Sequence, residues 1–370
     1  MVETSRAAPQ TTAAVHVEIG LHVGQLQQAV PGGIGRYVRA LLRELPTHNI
    51  EPLPFAAGAR PRGAGANYTD LGWPRGSMRY EAWHRTRLPR LSAPGQIIHA
   101  PSLAVPPVSK RPLVVTAHDI AFHRFPAATT RRGRAFHERG LRLALEHADL
   151  VLAPSEFTRG ELLDFGFPES RVQVAYLGAD PIEPTDDAII AEVTDRLEIR
   201  GPFVLTVGTI EPRKRLMHLA AAHRALREEF PDLELLIVGP NGWGDVGDLT
   251  GPGIRRLGAL PWTYVDALYR SAAVCAIASV YEGFGLPAVE AMNRGCPVVA
   301  ADGSAVAEVV GAAGIIVAQD DPLALANGIR SLLIGDALAS HLSEAGIARG
   351  QDFTWSASAA QHAKIYRELV

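Results

Sequence analysis

Two glutamates, Glu282 and Glu290, bracket the run Gly283-Phe284-Gly285-Leu286-Pro287. An apolar stretch, Ala273 to Ala278, comes just before and reads as a buried strand; a second, Pro297 to Ala301, follows. A helix opens near Leu286-Pro287, because proline suits a first turn, where its missing N–H is no loss. The two glycines let backbone approach a ligand closely, and amides at a helix N-terminus favour an anion. One stretch therefore offers an amide cradle for phosphate and two carboxylates that accept from hydroxyls. That combination suits a nucleotide sugar better than a bare phosphate.

Other segments carry matching chemistry. Arg213 and Lys214 follow the strand-like run Pro202–Val207 and its exit, Gly208. A guanidinium and an ammonium stabilise the charge that develops on a departing diphosphate. His118 and Asp119 follow the run Leu113–Thr116. They sit past a strand's C-terminal end, where open α/β sheets place ligands, although a surface pair capping the next segment is the plainer alternative. Pro31-Gly32-Gly33-Ile34-Gly35-Arg36-Tyr37 separates the first strand, Val15–Leu21, from an amphipathic run, Val38–Leu45. It does not match GxGxxG, so the dinucleotide fingerprint is absent and a Rossmann dehydrogenase is disfavoured. No spaced carboxylate or histidine cluster suggests a metal ligand set. Asp186-Asp187 and Asp320-Asp321 read as solvated loop doublets, so metal-independent chemistry is expected.

The elements that must position these groups can be read from the whole chain. It has 370 residues, more than one core usually spans. Hydrophobic residues are 47% and charged residues 20%, ample for two cores. The net charge of −3 gives no field for nucleic acid. Cys275 and Cys296 both lie in apolar contexts and read as buried thiols. Strand and helix alternate throughout, and Pro181–Pro184 has linker chemistry. Two parallel-sheet domains follow. The expected division is a disordered lead-in 1–14, an N-terminal domain 15–181, a C-terminal domain 182–352 and a terminal helical segment 353–370. No apolar run reaches the length of a membrane span, and the N-terminus has no apolar leader core, which points to the cytoplasm.

The pattern Glu282-Gly-Phe-Gly-Leu-Pro-Ala-Val-Glu290 resembles the E-x7-E signature of the retaining glycosyltransferases of family 4, which have the GT-B fold. Val207-Gly208-Thr209-Ile210-Glu211-Pro212-Arg213-Lys214 is similar to the family's phosphate-binding turn. The segment Pro31 to Tyr37 is similar to its N-terminal glycine-rich loop. Ala153 to Thr158 and Ala175 to Asp180 resemble its end of domain one.

The resemblance implies two Rossmann-like, doubly wound domains facing a cleft, with the last helix crossing back to the first. It implies transfer of a sugar from a nucleotide diphosphate sugar, as co-substrate, with retained anomeric configuration. By similarity, Glu290 binds the donor ribose and Glu282 the hydroxyls of the donor sugar. Gly283 and the amides of Phe284, Gly285 and Leu286 line sugar and diphosphate. Arg213 and Lys214 hold the diphosphate, Gly33 approaches it from the other domain, and His118 lies near sugar and acceptor. The base falls near Gly258-Ala259-Leu260. Many members carry Arg where this chain has Thr209, so Arg213 is expected to share the load with Lys214. The Gly-Thr-Ile-Glu-Pro-Arg-Lys turn favours GDP-mannose over UDP-sugars, and thus a mannosyltransferase.

A double displacement needs a carboxylate nucleophile at the anomeric carbon. Glu282 is the one candidate, and a front-face route fits it better. Expected acceptors are a glycan, a lipid-linked glycan or a small molecule. The basic segments Arg79–Arg90 and Arg131–Arg142 motivate a peripheral contact with the inner face of a membrane. A sugar-nucleotide epimerase and a non-catalytic sugar-nucleotide-binding protein are the alternatives.

Overall fold

Strands this apolar, such as Leu113–Thr116 and Val274–Ile277, are buried along their whole length. They need cover on both faces, which a parallel sheet flanked by helices supplies. The computed structural model describes residues 16–28, 32–57, 68–72, 77–88, 90, 92–107, 111–126, 129–181 and 185–370. The expected lead-in 1–14, Pro31 of the glycine-rich loop and linker residues 182–184 lie outside the described residues.

The first sheet holds β1 (Val17–His22), β2 (Ile50–Ala56), β3 (Thr69–Asp70), β4 (Ile97–Ala100), β5 (Leu113–Thr116), β6 (Leu150–Ala153) and β7 (Val172–Val174). They pair in parallel in the order β3-β2-β1-β4-β5-β6-β7. Helices α1 (Gly32–Glu44), α2 (Ser77–Thr86), α3 (Ala121–Arg124), α4 (Arg131–His147) and α5 (Glu156–Phe165) accompany it. The glycine-rich segment is not a loop ahead of a helix at Val38. It is the first turn of α1, which starts at Gly32.

After α6 (Asp187–Arg196), the second sheet holds β8 (Phe203–Val207), β9 (Glu234–Val238), β10 (Ile254–Gly258), β11 (Val274–Ile277), β12 (Val298–Ala301) and β13 (Ile315–Val317). Its order is β10-β9-β8-β11-β12-β13, again parallel. With it come α7 (Leu216–Leu226), α8 (Trp262–Ser271), α9 (Leu286–Asn293), α10 (Ala305–Val310), α11 (Pro322–Ile334) and α12 (Asp336–Gly350). Helices α6 and α12 fall where the periodicity predicts none. The aspartate doublets are not simply solvated either. Asp186 caps α6 through the Ala188 amide, and Asp321 caps α11 through the Leu323 and Ala324 amides. Asp320 pairs with Arg215 at 2.9 Å.

Alternate strand residues serve different cores, as the two-residue period requires. Val114, Leu150 and Leu205 belong to one apolar core that is continuous through both domains. Val115 and Val151 belong to a second core in the first domain, and Val204 to a second core in the other.

Helix α13 (Trp355–Glu368) leaves the second domain and packs on α1. It does so through a buried polar chain. Tyr366 Oη lies 2.8 Å from His99 Nδ1, His99 Nε2 2.8 Å from Thr116 Oγ1, and Tyr37 Oη 3.0 Å from Thr116 Oγ1 and 2.6 Å from His362 Nε2. His362 Nδ1 meets the Ser358 carbonyl at 2.7 Å, so it must donate there. That fixes the direction of every bond. Tyr366 donates to His99, His99 to Thr116, Thr116 to Tyr37, and Tyr37 to His362. Both imidazoles are neutral in this scheme, and burial pushes both in that direction, His362 down to about 4.

Both sheets reverse winding order beside their first strand, between β1 and β4 and between β8 and β11. Ligands of open α/β sheets bind beyond the strand ends at such points.

Candidate active site

In the second domain, the chain leaves β8 through Gly208 and makes a short turn, Pro212–Lys214. That turn aims two cations at Glu282, which follows β11. Lys214 Nζ bonds Glu282 Oε1, Arg213 Nη1 lies 3.1 Å from Oε2, and Ser279 Oγ donates to Oε1 at 2.7 Å. Burial alone would raise the Glu282 carboxyl, but Lys214 and Arg213 overcome it and hold it at about 2. Arg213 is itself fixed from behind. The buried Glu211 accepts from its Nε at 3.0 Å and its Nη2 at 2.5 Å, and the Tyr281 carbonyl accepts from Nη1.

The turn after Glu282 is where the two domains meet. A Cβ on Gly283 would stand 1.9 Å from the His118 carbonyl, so no other residue fits there. Gly285, with φ +102°, caps α9 in the left-handed region. Ser155 Oγ accepts from the Thr158 amide as the N-cap of α5, and donates to the Gly283 carbonyl at 2.8 Å. Thr158 Oγ1 donates to the same carbonyl at 3.0 Å. From α10, Glu308 caps the other domain's α5 through the Glu156 and Phe157 amides, each at 3.0 Å.

Glu290, one helical turn into α9, is 3% exposed. Tyr269 Oη donates to its Oε2 at 3.0 Å, and Arg36 from α1 donates to its Oε1 at 2.5 Å. Across the cleft, His118 Nε2 lies 2.9 Å from the Pro101 carbonyl. A carbonyl only accepts, so Nε2 carries the proton and neutral His118 keeps its Nδ1 lone pair. Burial lowers His118, against the opposing pull of the Pro101 bond and Asp119. Tyr37 stacks edge-on to it, ring centroids 5.1 Å apart.

A cleft of about 630 Å³ lies between these groups. Gly33 and Ile34 from α1, His118, Asp119 and Phe122 after β5, and Thr130 and His137 of α4 form one wall. Thr209, Glu211, Arg213 and Trp243 form the other. The structure thus brings Gly33, His118 and Arg213 to one space. Lys214 and Glu282 lie beside Arg213, and Gly283 touches the His118 backbone. Phe284 is buried against Phe353, while Gly285 and Leu286 start α9. Leu260 packs partly buried against the shared core and does not line this cleft.

Sequence reasoning missed Arg36, Tyr269, Ser279, Glu211 and Trp243. Arg36 stood inside the glycine-rich segment, yet nothing local says it reaches Glu290. Trp243, 47% exposed on a glycine-rich loop of the second domain, is the one with a readable signal. The basic helices carry less unbalanced charge than their sequence suggests. Arg132 pairs with Glu81, and Arg134 pairs with Glu138. No helix among the described residues is long and apolar enough to cross a membrane.

Comparison with known proteins agrees on one family. The model for glycosyl transferases group 1 matches residues 201–334, and that for glycosyltransferase family 4 matches residues 31–183. O-antigen chain mannosyltransferase B of Escherichia coli is 31% identical over 287 residues, 74% of each chain. Phosphatidyl-myo-inositol mannosyltransferase of Mycobacterium tuberculosis is 34% identical over 218 residues, 54% of this chain and 57% of that one. Among solved structures, HepE of Anabaena, in complex with UDP and glucose, superposes with a TM-score of 0.73. That match has 20% identity and covers 96% of this chain and 100% of HepE. The chain belongs to the family 4 glycosyltransferases, and its two facing parallel-sheet domains have the GT-B fold.

Proposed function

We propose that the protein is a retaining, metal-independent mannosyltransferase that takes mannose from GDP-mannose and adds it to a glycan or lipid-linked glycan. The observation that carries this reading is the Arg213–Lys214–Glu282 cluster at the second domain's switch point, open to the cleft through Arg213. Two cations beside a cradle of backbone suit a nucleoside diphosphate that departs with negative charge. The mannosyltransferases among the relatives favour mannose as the sugar.

In this reading the sugar C1–O bond to the β-phosphate breaks while Arg213 and Lys214 take up the developing charge. The acceptor oxygen bonds to C1 on the same face, and its proton passes to the leaving phosphate oxygen. Glu282 is poorly suited as a covalent nucleophile. Three donors occupy its oxygens, and a carboxyl held at about 2 is weakly nucleophilic. Its role is to orient donor-sugar hydroxyls, and that of Glu290 is to accept from the ribose. His118 offers its neutral Nδ1 as a hydrogen-bond acceptor near the reacting centre. Asp119, Thr130, His137 and Trp243 give the acceptor hydroxyl partners and an aromatic face.

The test is incubation of the purified chain with GDP-mannose and with UDP-glucose, with and without glycan acceptors, in the presence of EDTA. An α-linked product from GDP-mannose is the expected result. An epimerised sugar nucleotide formed without acceptor overturns the reading, and a requirement for added divalent metal removes its metal-independent part.

A further inference from the structure

Glu290 is buried, and its two donors come from opposite domains. Tyr269 belongs to the second domain; Arg36 comes from α1 of the first. Arg36 is not a loose surface side chain. Its Nε donates to Asp180 Oδ2 at 3.0 Å, close to where the chain passes between domains. Its guanidinium carbon lies 5.2 Å from the Trp262 ring centroid, and Arg294 lies 5.0 Å from the same ring. Such stacking on an aromatic face favours a fixed cation. Its Nη2 is buried with no aligned acceptor, although Asp180 Oδ2 stands 2.8 Å away off the bonding direction.

A carboxylate accepts at about four lone-pair positions. Arg36 and Tyr269 take one on each oxygen, which leaves one on each for a neighbouring pair of hydroxyls. Without Arg36 the buried carboxylate would keep Tyr269 as its one side-chain donor, and Oε1 would lose the contact that fixes its direction.

We propose that Arg36 is a positioning residue for the donor: by reaching from α1 into the second domain it holds the Glu290 carboxylate in place and aimed, so that both hydroxyls of a ribose donate to it. The inference rests on the reading of Glu290 as the ribose acceptor. It makes nucleotide binding depend on contact between the domains, since the residue that prepares Glu290 belongs to the domain that does not carry it. The opposite arrangement, Arg36 as a plug that ribose must displace, predicts an opposite sign.

The experiment is calorimetric binding of GDP, UDP and their 2′,3′-dideoxy forms to the wild-type chain and to Arg36→Ala, Arg36→Lys and Glu290→Ala. The preference for ribose over dideoxyribose is compared within each variant, which cancels general losses of fold. The wild type is expected to prefer the ribonucleotide by at least about tenfold, as hydrogen bonds to a charged group do. Glu290→Ala should abolish that preference, Arg36→Ala should remove most of it while dideoxy binding changes less than about threefold, and Arg36→Lys should restore part. An Arg36→Ala chain with undiminished or increased ribose preference overturns the proposal; if that variant does not fold, full preference in Arg36→Gln does so. A wild type with no ribose preference, or one that Glu290→Ala leaves intact, overturns instead the reading of Glu290 and the inference with it. Failure of both nucleotides to bind overturns both.

Discussion

The two domains wind alike but place different chemistry at the same point of their sheets. Beyond β8 and β11, the second domain packs carboxylates against cations, each buried charge paired at short range. Beyond β5, the first domain presents a neutral histidine, backed by a chain of neutral hydrogen bonds. The contrast follows from what each wall would face. In the proposed reaction the charged wall suits a departing diphosphate, and neutral His118 offers the incoming hydroxyl a hydrogen-bond acceptor. It also shows why Glu282 and Glu290 differ despite their common motif. Glu282 draws its counter-ions from its own domain, whereas Glu290 draws one from the other domain.

The largest test of the contrast removes a cation from the charged wall. Lys214→Met is expected to lower kcat/KM by ~2–4 kcal/mol, roughly 30- to 1,000-fold, in steady-state assays. A loss below about threefold would mean that Arg213 alone suffices.

Acid should strain the neutral wall instead. His362 is held at about 4 in the folded chain and titrates near 6.5 when unfolded. Between those values the unfolded chain binds more protons. Stability therefore falls as pH drops from about 6.5 towards 4, by roughly 1.4 kcal/mol per unit for each such histidine. Melting curves at pH of about 7, 6 and 5 check this, and His362→Gln should flatten the dependence.

The two glutamates give a smaller, sharper separation. Glu290→Ala should weaken free nucleoside diphosphate by ~1.5–3 kcal/mol, while Glu282→Ala spares it within about threefold and damages transfer. Equal effects on nucleotide affinity, measured by calorimetry, would erase the division between them. The smallest effect concerns Thr130, which caps α4 through the Gly133 amide at 3.1 Å. Thr130→Ala is expected to cost ~1 kcal/mol in chemical denaturation and to raise KM for acceptor rather than donor.

Much of this contrast is legible in the chain, and its limits have physical causes. The E-x7-E turn, the Arg213-Lys214 turn and the His118 strand end are local, so residue types and short spacings reveal them. The two-domain winding follows from apolar runs with regular breaks. Contacts between distant segments leave no such mark. Arg36 and Glu290 are 254 positions apart, and Tyr37 and His362 are 325 apart. Helix α12 went unread because it buries little beyond Leu342, Gly346 and Gly350, a stripe too narrow and too rich in glycine to show a period. Helix α6 went unread because it follows a proline-bearing linker and buries Val193 alone.

The buried chain from Tyr366 to His362 has a consequence for the order of synthesis. A domain of a growing protein normally folds once its own residues have left the ribosome. Here the first domain is translated with His99 and Tyr37 in place but without the hydroxyl and the imidazole that satisfy them. Both arrive on α13, after the whole second domain has been made. Until then the face of the first domain that α13 covers stands open to water, without the apolar burial and the fixed hydrogen bonds that α13 supplies. The nascent first domain is therefore a weaker fold than the finished one, and a chain stopped at residue 352 should show it as enhanced proteolysis of residues 16–181.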